Sequence, residues 1–331
     1  MKILLYSKDQ KLVEKSGVGR ALEHQKRALE SAGIDYTQDE NEYYDIVHIN
    51  TIMPGSLRMA KRAKAQGRKV VYHAHSTMED FRNSFVGSNT VAPLFKKWIT
   101  YCYNHGDVIL TPTPYSKQLF ENYNITEEIR VISNGIDLGE FKKDEEAGQC
   151  FRQKYGFRNT DKIVISVGLY IERKGILDFV ELAAKMPEYK FFWCGYTNLK
   201  TVPKKIRQAV NTKLPNLFFP GYINKNEMQG VYSGSDVFLF LTHEETEGIV
   251  LLEALAMKIP VLIRDIPIYD HWIKNNIHAY KDTTNPGFMD KIKKIISGDY
   301  PDITEKAYEI PKERDIQSIG MQLKKIYASI L

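Results

Sequence analysis

The chain has 331 residues, 43% of them hydrophobic and 26% charged, with a formal net charge of +5. That balance excludes a disordered chain, and the length suits two domains that each bury a core. Three scattered cysteines, Cys102, Cys150 and Cys194, exclude a disulfide framework and a cysteine metal cluster, and no apolar run reaches the roughly 18 residues of a membrane span. At the start, Lys2–Tyr6 reads as a strand, because its four-residue apolar core is too short for a signal peptide. The expected location is therefore the cytoplasm. Ser16-Gly17-Val18-Gly19-Arg20 reads as a glycine turn entering a helix over Ala21 to Ala32, a common phosphate contact. Without a third glycine the dinucleotide fingerprint is incomplete, which argues against a nicotinamide-dependent oxidoreductase.

Ile46–Asn50 and Lys69–His75 read as the next strands, with a helix over about Gly55 to Gln66 between them. Strand and helix in alternation predict a doubly wound parallel sheet. Residues 1–150 hold 20 Lys/Arg and 20 Asp/Glu, yet from Thr51 to Met78 there is no acid, while Arg58, Lys61, Arg62, Lys64, Arg68 and Lys69 are basic. Such a cluster attracts polyanions, either nucleic acid or an anionic membrane face. No helix-turn-helix or RNA-module signature accompanies it, so a nucleic-acid partner is not expected. His73 and His75 share one side of their strand by its period of two, and His75 sits at the carboxyl end, where such sheets bind ligands.

Ser76 to Trp98 is the least regular stretch. Its Phe95, Lys96, Lys97 and Trp98 set aromatics beside lysines, a pattern of membrane interfaces and equally of a helix packed on its own domain. Val108–Thr111 and Arg130–Ile132 complete the first half. Within Ser133 to Phe141, Asn134-Gly135 is a natural tight turn, and the charged stretch Lys142–Gly148 reads as a hinge. Strands at Lys162–Gly168, Phe191–Gly195 and Leu217–Gly221 open the second half, and Arg173 and Lys174 are adjacent cations suited to a diphosphate. The tail, Ile316 to Leu331, is amphipathic.

The chain is organised around His243 to Ala256, H-E-E-T-E-G-I-V-L-L-E-A-L-A. A buried strand, Val237 to Leu241, precedes it, and a Leu/Ala-rich helix over Ile249 to Met257 follows. Unpaired amides at Gly248, Ile249 and Val250, at a helix amino end, suit a phosphate. Glu245 and Glu253 flank that helix start with seven residues between them.

This arrangement resembles the E-x7-E motif of retaining glycosyltransferases with the two-domain GT-B fold. Ser133 to Phe141 resembles that family's crossover element. The resemblance implies an α/β chain with two Rossmann-like domains facing a cleft: residues 1–145 binding acceptor and membrane, residues 146–315 binding nucleotide sugar, and 316–331 crossing back. It implies that Glu245 contacts the transferred hexose, Glu253 the ribose, and His75 the sugar from the facing domain, with Gly17 near the donor phosphates. The family often carries an arginine directly after the strand glycine, where this chain has Leu169; Arg173 is given that role, beside Lys174 on the diphosphate. The segments S-G-V-G-R-A-L-E-H-Q and E-D-F-R-N-S-F resemble bacterial diacylglycerol glycosyltransferases, above all those adding a second hexose to a monoglycosyl-diacylglycerol. A UDP-hexose donor, a glycolipid acceptor and an anionic membrane surface at the inner face of the cell membrane are then the expected partners. First-sugar addition to diacylglycerol, or transfer to a soluble polysaccharide acceptor, are the alternatives. No two aspartates stand two apart, so no obligatory metal and no tightly bound cofactor is expected. Oligomeric state is not legible.

Overall fold

The computed structural model describes residues 1–6 and 16–331. It contains two sheets of six strands each, parallel throughout. The first comprises β1 (Lys2–Tyr6), β2 (Asp35–Thr37), β3 (Ile46–Ile49), β4 (Lys69–His73), β5 (Val108–Thr111) and β6 (Glu128–Val131), in the order β2-β1-β3-β4-β5-β6. The second comprises β7 (Ile163–Val167), β8 (Lys190–Cys194), β9 (Leu217–Gly221), β10 (Val237–Phe240), β11 (Val261–Arg264) and β12 (Tyr280–Asp282), in the order β12-β11-β10-β7-β8-β9. In each sheet the order reverses beside the first strand, between β1 and β3 and between β7 and β10. Such reversal points open a crevice at the carboxyl ends of the strands.

Both faces of each sheet are covered, so the central strands read as unbroken apolar runs rather than alternations. Val237–Phe240 and Val261–Arg264 are buried at every position. The expected strands are all present, within two residues of their expected ends. The edge strands β2 and β12 are additions. At three residues each they are too short to carry a periodic pattern.

The helix Gly17–Ser31 starts at Gly17 itself, with Ser16 as its N-cap, so the expected glycine turn is already the first helical turn. The charged stretch 142–148 is only partly a connection. Asp144 caps the amide of Ala147 and a helix runs from Glu145 to Lys154, because an N-cap aspartate followed by Glu145 and Glu146 complements the helix dipole. The C-terminal helix Ile316–Ile330 packs Ile319, Leu323 and Tyr327 into the core of the first sheet, with Ile3, Leu5 and Leu22. A side chain at Gly320 would lie 2.2 Å from the carbonyl of Ala28, so glycine there lets this helix lie against Gly17–Ser31. The chain passes between the halves twice, and the two passages pair: Ile136 N–H donates to Arg314 O at 3.0 Å and Ile316 N–H to Ile136 O at 3.1 Å.

Candidate active site

The carboxyl ends of the two sheets face each other. Thr113, just beyond β5, donates its hydroxyl to Thr246 O at 2.9 Å, and Tyr115 donates to Glu244 Oε2 at 3.0 Å. The apposed loops build a cleft whose second-domain wall is made at β7 and β10.

After β7 a short 3-10 turn, Glu172–Lys174, ends at Gly175, whose φ is +81°. A Cβ at Gly175 would stand 2.3 Å from Leu241 O, so only glycine permits this approach to the end of β10. The approach sets Lys174 against Glu245, and the two form a salt bridge. Arg173 also lies close to Glu245, at 3.8 Å, but its guanidinium is mainly held by Asp80 Oδ1 and the carbonyl of Glu244, at 2.8 and 2.7 Å. Arg173 and Glu245 are buried. Burial lowers the Lys174 pKa and raises that of Asp80, the directions expected when charged groups lose water. Burial also pushes Glu244 up to about 7.

Four residues past Glu244, Gly248 is the N-cap of the helix Ile249–Ala256 with φ +87°. That left-handed turn aims the first amides of the helix, including those of Ile249 and Val250, out of the ladder. Glu253, inside this helix, is buried and accepts from the Tyr232 hydroxyl at 2.8 Å, while Arg20 Nε lies 3.3 Å from its other oxygen. The carboxylates of the spaced pair are therefore paired with different cations, Lys174 for Glu245 and Arg20 for Glu253. Between them Glu247 turns the other way. It accepts from Ser133 Oγ at 2.5 Å, Asn134 N–H at 2.9 Å and Asn134 Nδ2 at 2.7 Å, joining the strand-to-helix turn to the crossover.

On the first-domain wall, His75 lies two residues past β4 and is buried, stacked on His73 with ring centroids 4.3 Å apart. The shared facing expected of the two rings is present. Burial lowers His75 to about 4, so it is neutral near pH 7. Gly17 is exposed at the amino end of its helix, next to residues 7–15, which lie outside the described residues.

The residues expected to meet a membrane divide. Arg58, Lys61, Arg62 and Lys64 are exposed on the helix Pro54–Ala65, opposite Leu57, Met59, Ala60 and Ala63, which enter the core. The irregular stretch is instead two helices, Met78–Phe81 and Ser88–Tyr103. Phe95 and Trp98 are half-buried, packed along one side against the core of the first domain. Phe95 stacks on Phe81 at 4.2 Å, and Trp98 Nε1 donates to Ile52 O at 2.8 Å. A half-buried indole still favours an acceptor, and this one finds it inside the domain. Lys96 lies 4.3 Å over the Tyr123 ring, and Lys97 is exposed. The apolar residues that do face outward are Phe85, Val86, Val91 and Leu94.

Sequence reasoning did not single out Asp80, Glu244, Tyr115 or the latch role of Glu247. Each acts through a partner more than 60 residues away, and no local spacing marks such a pairing. Among the described residues, no three His, Cys, Asp or Glu side chains converge as a metal site would require.

Two Rossmann-like sheets closing on a cleft define the class of the two-domain glycosyltransferases. The solved structure of Anabaena HepE in complex with UDP and glucose aligns over 99% of this chain and 100% of its own, with a TM-score of 0.81 and 17% identity. Residues 149–312 match the model for glycosyl transferases group 1, and residues 24–140 match the model for glycosyltransferase family 4. The processive diacylglycerol alpha-glucosyltransferase of Acholeplasma laidlawii is 40% identical over 332 residues, covering 100% of this chain and 99% of that protein. The alpha-galactosylglucosyldiacylglycerol synthase of Streptococcus pneumoniae is 24% identical over 71% of this chain and 64% of that protein. The chain belongs to this glycosyltransferase family and is an enzyme of it.

Proposed function

We propose that the enzyme transfers a hexose, glucose or galactose, from a UDP-sugar to monoglucosyl-diacylglycerol with retention at the anomeric carbon, giving a diglycosyl-diacylglycerol. The observation that carries the reading is the convergence of Arg173, Lys174 and Glu245 below the amino end of Ile249–Ala256, in a chain that is alike along its whole length to a diacylglycerol alpha-glucosyltransferase. In this reading Lys174, Arg173 and the amides of Gly248, Ile249 and Val250 neutralise the charge that grows on the diphosphate as the sugar departs. Glu245 orients the hexose, Glu253 takes the ribose, and His75 meets the sugar from the first domain, with Gly17 beside the phosphates. The ion pairs now holding these side chains are exchanged for donor contacts on binding. Residues 1–145 take the acceptor and 146–315 the donor, with 316–331 returning to the first domain. Addition of the first glucose by the same chain is the second reading, favoured by the word processive in the name of its relative.

Among the described residues, no helix is long and apolar enough to cross a membrane. The lipid is reached from the surface of the inner leaflet, where Arg58, Lys61, Arg62, Lys64, Lys96 and Lys97 meet anionic headgroups. Lys61 bonds Tyr101 at 3.0 Å and sets the basic helix beside the Ser88–Tyr103 helix, which carries exposed Val91 and Leu94. The test incubates the enzyme with radiolabelled UDP-glucose or UDP-galactose and micelles of diacylglycerol, monoglucosyl-diacylglycerol or neither, with and without anionic lipid. Label in a diglycosyl lipid, increased by anionic lipid, supports the reading. Label in water-soluble product alone ends the acceptor assignment.

A further inference from the structure

Behind His75 runs a chain of buried polar groups. His75 Nε2 lies 2.9 Å from Asn50 Oδ1, and Asn50 Nδ2 donates to Gln25 Oε1 at 2.7 Å. Gln25 Nε2 lies 2.7 Å from His48 Nδ1, which also meets the Tyr327 hydroxyl at 2.6 Å. Gln25, His48, Asn50 and Tyr327 are all less than 5% exposed. They come from four elements: the Gly17–Ser31 helix, β3, the residue after β3, and the C-terminal helix. His73 fills the space between the two bonded rings, stacked on His48 as well as on His75, and neither of its ring nitrogens has a partner.

Polarity propagates along this chain, because an amide oxygen only accepts and an amide nitrogen only donates. Gln25 Oε1 takes the proton of Asn50 Nδ2, so Asn50 turns its oxygen to His75. The His75 nitrogen facing that oxygen must then carry a proton. We propose that Asn50, backed by Gln25, is a positioning residue that fixes His75 as the Nε2–H tautomer and leaves Nδ1 as a lone-pair acceptor for a hydroxyl of the bound sugar. The inference rests on the proposed place of His75 in the sugar site. Nδ1 of His75 makes no hydrogen bond with any described residue. Met with a hydroxyl, a neutral Nδ1 accepts; protonated, it could only donate, which reverses the bond and turns the hydroxyl's own proton away from the ring. The titratable groups facing His75 are His73 beside it on the same strand end, His48 on β3 behind and, beyond that, Tyr327 on the C-terminal helix. Burial is what lowers the imidazole, and among the described residues no carboxylate counters it.

Two measurements decide the matter. Long-range proton–nitrogen NMR of the histidine-labelled enzyme, with the His75 signals assigned from their loss in His75→Ala, should show a protonated Nε2 and a bare Nδ1. A proton on Nδ1 overturns the proposal. In Asn50→Asp a carboxylate faces Nε2 and favours the imidazolium, so the acid limb of kcat/KM should move up by about one to two pH units with high-pH activity largely kept. A limb superimposed on that of the parent enzyme overturns the proposal. His75→Ala separates the two readings. Undiminished transfer by it removes His75 from the sugar site and this inference with it. Impaired transfer by it, together with a proton on Nδ1, leaves His75 in the site and removes only the role of Asn50.

Discussion

On the second domain's side of the cleft the polar groups are charged, Arg173 and Lys174 with Glu245, and Asp80 reaches Arg173 from the first domain. Around His75 on the first domain's side they are neutral, three histidines with Asn50, Gln25 and Tyr327. Desolvation acts on both but with different results. Charges out of water are tolerated only while each has its counter-charge, and they can exchange that partner for a ligand's charge. Imidazoles out of water stay unprotonated and hold a fixed pattern of donors and acceptors. A cleft that must release and recapture an anion gains from the first arrangement, and one that must present a hydroxyl-matched surface gains from the second.

The comparison breaks most visibly in acid. Burial lowers the pKa of His24 and His75 to about 4 and His48 to about 3, and holds His73 well below its ordinary value. Between pH 6.5 and 4 the unfolded chain therefore binds protons that the folded one does not, and stability falls as the pH drops through that window. His24 and His75 should each contribute a loss on the order of 3 kcal/mol. Urea unfolding at pH 7.5 and 4.5 measures it, and equal midpoints would show that the first-domain wall is not neutral.

The charged wall is tested next by Glu245→Gln. Turnover should fall by roughly a hundredfold or more, with the fold kept but the melting temperature lowered, because the neutral amide leaves Lys174 without its counter-charge. Radiolabel transfer and calorimetry on one preparation check both parts; undiminished transfer takes Glu245 out of the mechanism.

Glu247 stands at the joint between the two regions. Glu247→Ala strands the buried donors of Ser133 and Asn134 and should cost about 2–4 kcal/mol in denaturant unfolding. A cost of a few tenths would mean that the crossover holds without the latch.

The smallest effect lies outside the cleft. Changing Lys61, Arg62 or Lys64 to Ser should weaken sedimentation with anionic liposomes by about 1 kcal/mol per charge, an effect lost in high salt. Neutral liposomes serve as the control, and equal loss on both would assign the change to folding rather than to charge.

Local pattern was enough for the scaffold. Val237–Phe240, residues 163–165 and residues 261–263 are apolar without alternation, as a strand covered on both faces requires. The helix start at Gly248 was legible for a related reason, since a strand, a glycine and a Leu/Ala run lie within a few residues of each other. Lys142–Gly148 misled because charge density marks a hinge and a capped first helical turn equally well. Phe95 and Trp98 stayed open in the sequence because an aromatic beside a lysine fits an interface or a half-buried helix face, and the acceptor that Trp98 meets, Ile52 O, lies 46 residues away.

By itself the amino-acid order determined the strands and helices of the two sheets, because short-range periodicity and turn chemistry act within a few residues, while the cleft and the gathering of Glu245, Glu253, Arg173, Lys174 and His75 on it were implied by the resemblance to the glycosyltransferases. Only the tertiary structure decided that Lys174 pairs with Glu245 and Arg20 with Glu253, that Asp80 holds Arg173, and that Asn50 faces His75. Those choices depend on which groups are brought together once water is excluded. A buried charge or amide takes its state from the partner it meets across the fold, and chain neighbours carry no record of that partner.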